Sequence, residues 1–139
     1  MTLYEFIQDI ESIQRRVTAL EEDKKHLTEP IVKDTSRLEE IYHIYENELL
    51  TKTSIHPTSI DGRRIFIFIA VRLCCPASFA GGNIRYGFRN QLAQVLGCNQ
   101  VSVISHDFKN LTFLYKKYKN FRDVVDIVYN AVMLQITDF

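Results

Sequence analysis

The chain has 139 residues, 46% hydrophobic and 12% aromatic, with five glycines and three prolines. That much apolar material excludes a disordered chain, and so few turn formers favour helices over a turn-rich sheet protein. The formal charge is zero, yet residues 1–61 carry seven Lys/Arg against thirteen Asp/Glu, a net −6, and residues 62–139 carry ten against four, a net +6. Either the basic half meets a polyanion or the two halves attract each other.

Leu3, Phe6, Ile10, Ile13, Val17, Leu20 and Leu27 recur at alternating spacings of three and four, interrupted only by Lys24. This is a heptad pattern, with Leu3, Ile10, Val17 and Lys24 at one core position and Phe6, Ile13, Leu20 and Leu27 at the other. It predicts a helix of roughly 38 Å at 1.5 Å per residue. Under four heptads are marginal alone, so the helix needs a partner. Leu3, Phe6, Ile10, Ile13, Val17 and Leu20 are the candidate dimerisation residues. Pro30 ends the run, and a second helix follows, starting at Pro30 or from the capping box Ser36-x-x-Glu39. Its stripe is Leu38, Ile41, Tyr42, Tyr45 and Leu49. The first helix either folds back on this second one or pairs with its copy in another subunit. Residues 1–50 thus form an acidic helical arm, a hairpin or a coiled coil.

Residues 51–61, Thr/Ser-rich with Pro57 and no periodicity, are the expected linker, and the charge changes sign there. Residues 62–139 form the basic helical domain. Gly62–Cys75 alternates Ile and Phe like a strand. Its length, Asp61 as an N-cap and Pro76 as a stop instead predict a buried central helix. The loop 76–83 follows, in which Gly81-Gly82 next to a helix start could hold phosphate, although an ordinary connection also looks like this. Residues 84–97 bring Arg85 and Arg89 four residues apart, which predicts a shared helix face.

Residues 89–108 read as helix, glycine turn, helix. Leu92, Ala93 and Leu96 are the apolar positions of the first helix. Gly97 supplies a left-handed backbone at little cost, and Val101, Val103, Ile104 and Phe108 resume the apolar pattern. This resembles the helix-turn-helix of DNA-binding proteins, in which a small residue (Ala93) sits where the helices cross. A glycine (Gly97) follows four later, and an apolar anchor (Val103) six beyond that. The family pattern also prefers an apolar residue where this chain has His106.

The order of apolar helix, basic segment and helix-turn-helix also looks like the DNA-binding domain of the bacterial replication initiator. That family has an acidic-His-Thr-Thr run just after the turn glycine. This chain has Asn99-Gln100-Val101-Ser102, so origin-repeat binding does not carry over. The resemblance to the wider superfamily implies double-stranded DNA as partner. Asn99, Gln100, Ser102, Ser105, His106 and Lys109 would face base edges, and Arg85, Arg89, Lys116 and Lys117 would contact phosphates.

Residues 111–121 interleave Lys116, Lys117 and Lys119 with Tyr115, Tyr118 and Phe121, a pattern suited to phosphate contact and stacking, or to completing a helix C-terminal dipole. An amphipathic helix over Arg122–Ile136 closes the chain, with Val124, Val125, Ile127, Val128, Ala131, Val132 and Leu134 as its core positions. Cys74, Cys75 and Cys98 match no metal-ligand spacing, even with His106 added, so no metal or cofactor is expected. No nucleotide-loop or hydrolase motif occurs, and the enzyme hypothesis has no residues to rest on. No signal segment opens the chain and its longest apolar run, Ile65–Val71, is too short to span a bilayer, so a reduced cytoplasmic protein is expected. The sequence therefore predicts an all-α, DNA-binding homodimer. The rival is a protein-interaction or structural assembly module with no nucleic-acid binding.

Overall fold

The computed structural model describes residues 1–81 and 84–136. Its helices are α1 (Leu3–Leu27), α2 (Leu38–Lys52), α3 (Ile60–Cys74), α4 (Tyr86–Leu96), α5 (Val101–Lys117) and α6 (Lys119–Ile136), with single turns of 3₁₀ helix at Thr35–Arg37 and Pro76–Ala80. No strand occurs among the described residues, so the fold is all-α as expected, and the segment over 64–73 is helical.

α3 is the centre. Ile65, Phe66, Ile67, Ile69, Ala70, Val71 and Leu73 are all buried, as for a helix covered on nearly every side. Its N-cap is Ser59, whose hydroxyl accepts the Gly62 N–H at 3.0 Å, rather than Asp61. Gly62 is required: a β-carbon there would come within 2.7 Å of the Pro57 carbonyl oxygen and closer still to that of His56. The Tyr45 hydroxyl donates to the Gly62 carbonyl, and the Tyr45 ring stacks on Phe66 with centroids 5.1 Å apart. Burial pushes the Tyr45 hydroxyl's pKa far up, so it stays a donor.

α2 belongs to this body. Leu38, Ile41, Tyr45 and Leu49 are buried, and α2 packs on α6, α4 and α3. The expected boundaries, 1–50 as arm, 51–61 as linker and 62–139 as domain, are therefore displaced. The arm is α1 alone, α2 runs through Lys52, and α3 begins at Ile60. The physical reason is that the α2 stripe is broad enough to be a core face, which charge sign does not report. Its start is also not as predicted: Asp34 caps the 3₁₀ turn by accepting the Ser36 N–H at 3.1 Å, and α2 grows from that turn. The two hydrogen bonds to Ser36 hold the Asp34 carboxyl below its ordinary pKa.

α1 is capped at Thr2 by a reciprocal box with Glu5, at 3.1 and 3.2 Å. It buries none of its residues, so it does not fold back as a hairpin. Four residues past its end the chain is tied down again: the N–H groups of Ile31 and Val32 both donate to the Leu73 carbonyl at 2.9 Å, and Val32 is buried.

Candidate nucleic-acid interface

α4 ends where expected. Gly97 has φ +70°. The N–H of Cys98 reaches Ala93 O at 2.9 Å and that of Gly97 reaches Gln94 O at 3.2 Å, which closes the helix with a left-handed glycine cap. Three residues later α5 starts without a side-chain cap at Gln100. Ala93 is buried. The anchor of α5 is shifted by one residue from the family pattern. Ile104, Asp107, Phe108 and Leu111 are buried, at i, i+3, i+4 and i+7, whereas Val103 is half-buried. That phase turns His106 outward and accounts for the imidazole where the pattern prefers an apolar side chain.

The same phase gathers the exposed residues of α5 on one stripe. Ser102, His106, Lys109, Asn110, Phe113, Lys116 and Lys117 are all exposed and fall within an arc of roughly 120° at 3.6 residues per turn. Asn99 and Gln100 continue it into the turn and are exposed too. Ser105 is half-buried, and its hydroxyl accepts from Arg89 Nη1 at 2.8 Å. Arg89, itself half-buried, is thus directed inward at this contact, whereas Arg85 precedes α4 and is exposed. The two arginines are not gathered outward: Arg85, the N-cap residue of α4, is exposed, whereas Arg89 is turned to Ser105. Of the loop weighed as a phosphate cradle, Gly82 and Asn83 lie outside the described residues.

Lys116 and Lys117 sit in the last turn of α5, which is continuous from Val101. There their charge complements the C-terminal dipole, as the second reading of that pattern expects. Arg122 adds hydrogen bonds, donating to the carbonyls of Tyr115 at 3.2 Å and Lys116 at 3.1 Å. Lys117 Nζ lies 5.1 Å from the Phe113 ring centre and 5.6 Å from that of Tyr118, so the outward end of α5 pairs ammonium groups with aromatic faces. Tyr115, by contrast, points inward. It stacks on Phe68 at 5.1 Å and donates to Asp126 Oδ1 at 2.6 Å, a bond that raises its pKa.

The one carboxylate of α5, Asp107, is buried under two arginines of α3: Arg63 Nε at 2.9 Å and Arg64 Nε at 3.6 Å. Sequence reasoning missed this clamp, although Asp107 lies on the apolar i, i+3, i+4, i+7 stripe and so had to be buried. The clamp leaves the outward face of α5 without a negative charge. Beside it, a cleft of about 460 Å³ is lined by Tyr42, Arg63, Cys98, Asn99, Gln100 and others.

On α1, the six candidate dimerisation residues are all exposed, from 39% for Val17 to 74% for Leu3. α6 starts at Lys119, not Arg122, and buries Val125, Val128, Ala131, Val132 and Ile136. Val124 is half-buried, and Ile127 and Leu134, expected in the core, are exposed because they lie on the outer side of the helix. Cys74 and Cys75 are buried and Cys98 is half-buried, all as free thiols. No helix among the described residues is long and apolar enough to cross a membrane. Comparison of the chain with protein-family models, with curated proteins and with solved structures finds no match.

Proposed function

We propose that this chain binds double-stranded DNA, as a non-enzymatic cytoplasmic homodimer joined through α1, with α4 and α5 acting as a helix-turn-helix of the DNA-binding superfamily. The observation that carries this reading is the outward stripe of α5, where hydroxyl, amide, imidazole and ammonium groups are exposed with no carboxylate among them. Asn99, Gln100, Ser102, His106 and Lys109 are the base-facing set, with amides suited to adenine and the lysine to guanine. Ser105 supports the turn through Arg89 instead of reading bases. Lys116 and Lys117 lie roughly 22 Å along the helix from Ser102, far enough to leave a 12 Å major groove and meet the phosphates on its far wall. Arg85 serves the same purpose at the start of α4.

The test is a triple substitution, Lys109→Gln, Lys116→Gln and Lys117→Gln, titrated into a fluorescent duplex at low salt. Affinity should fall at least tenfold with the helical circular dichroism unchanged. Equal affinity would remove α5 from the interface. The exposed seam of α1 separately favours the rival reading, an assembly module with no nucleic-acid partner. That reading predicts self-association together with no duplex binding by the unsubstituted protein.

A further inference from the structure

The homodimer in the reading above leaves the direction of its arms open, and the charges beside the seam decide it. With Leu3, Ile10, Val17 and Lys24 at the first core position, the residues flanking the seam are Asp9, Arg16 and Asp23 on one side and Ile7, Gln14 and Glu21 on the other. In a parallel pair each residue of the first set meets the residue five further along in the partner helix. Arg16 then meets Glu21, twice by symmetry, and Asp9 meets Gln14, so no like charges face one another across the flanks. In a fully overlapped antiparallel pair Leu3 opposes Leu27 and Ile10 opposes Leu20, and the flanks pair within each set. Asp9 then meets Asp23 twice and Arg16 meets its own copy. Every charged pair on that flank is repulsive.

Core chemistry points the same way. In the middle and far heptads β-branched Ile10 and Val17 occupy the first position and Leu20 and Leu27 the second, the distribution that favours two parallel strands, with Ile13 the one β-branched residue at the second position. Lys24, the one polar core residue, meets its own copy in the parallel arrangement, with Asp23 of the opposite helix immediately beside each ammonium to offset that pair. It can lay its stem along the seam and place its ammonium there.

We infer that α1 pairs in parallel and in register with α1 of a second copy of this chain, so that both bodies hang from the same end of the arm. The inference rests on the dimer reading. Its consequence follows from the tether: Val32 is fixed to Leu73 only a few residues beyond α1. The two α5 helices are therefore brought to one side, as two half-sites on one face of a duplex require. An antiparallel arm would hold them at opposite ends of a rod roughly 38 Å long.

The experiment uses the full chain with Cys98→Ser, into which Leu3→Cys or Leu27→Cys is placed. Both sites are highly exposed, so the body folds regardless. Under mild oxidation each single variant should form a covalent dimer with itself, and a mixture of the two should form little of the mixed species. A mixed disulfide in place of the self-linked ones would overturn the parallel arrangement while leaving the dimer intact. Sedimentation equilibrium of the reduced proteins reads the dimer separately, and a monomer at high micromolar concentration would overturn the dimer itself and the orientation with it. As a second measurement, Arg16→Glu should weaken the dimer by about tenfold, two attractive pairs having become repulsive. It would have no effect in the antiparallel arrangement, where one like-charge pair merely replaces another.

Discussion

Asp107 shows how one side chain can serve both stability and the proposed interface. Its carboxylate has a relative exposure of 4% and lies between Arg63 and Arg64. Asp107→Ala leaves two half-buried guanidiniums without a counter-charge, which costs about 3 kcal/mol, the low end for a broken buried pair because both arginines keep an edge in water. Urea unfolding would read this as a lower midpoint at unchanged slope, and a loss below about 1 kcal/mol would show that the clamp is solvated. Cys74 gives a pH dependence. Burial, with Cys75 beside it, pushes its thiol from 9.0 to about 12, against a smaller opposing effect of Arg85. Above pH 9.0 the unfolded chain therefore releases a proton that the folded chain keeps, and stability falls as pH rises from there toward 12. Thermal melts between pH 9 and 10 should decline less steeply for Cys74→Ala than for the unsubstituted protein, the tyrosines contributing equally to both. Equal slopes would mean that the thiol is open to water.

At the scale of elements, α1 and α5 expose opposite kinds of surface for related reasons. α5 has one apolar stripe, which the body uses, and its other face is polar. α1 has a narrow apolar seam that the body does not use. Removing residues 1–27 should therefore leave the thermal midpoint of a dilute sample within about 2 °C of the full chain, a few tenths of a kcal/mol for a domain of this size, while abolishing the dimer. A larger loss would mean that α1 packs on the body after all.

The sequence made the existence of most helices legible through apolar period and punctuation: Thr28–Pro30 after α1, Pro76 after α3, Gly97 after α4. It misplaced the domain boundary because charge and composition changed at 51–61, whereas packing changed near Pro30. It also anchored α5 at Val103 rather than Ile104. A one-residue phase error of that kind rotates the expected face by about 100°, enough to put half-buried Ser105 among the outward residues. Contacts distant in the chain, such as Arg63 with Asp107, leave no local period to read.

For the whole molecule, the neutral total conceals where the charge lies. α1 holds four Lys/Arg against six Asp/Glu, most of the acidic excess lies in the segment around α2, and half of the ten cations of residues 62–139 are turned toward the protein. Arg63, Arg64, Arg72, Arg89 and Arg122 are at least partly buried, whereas Arg85, Lys109, Lys116, Lys117 and Lys119 are exposed. The outward charge is therefore mostly lysine along the far half of α5, and a parallel dimer doubles it on one side. If four of these cations per protomer meet phosphates, a dimer releases counterions with a logarithmic salt slope of about −7.

The measurement that addresses the central claim most directly is fluorescence anisotropy of a labelled random-sequence duplex, titrated with the whole protein at several salt concentrations. The account predicts binding at low salt that weakens by about a thousandfold or more on moving to moderate salt. No binding at low salt, or an affinity indifferent to salt, would contradict a DNA-binding function and leave α1 as the part of the chain that defines what the protein does.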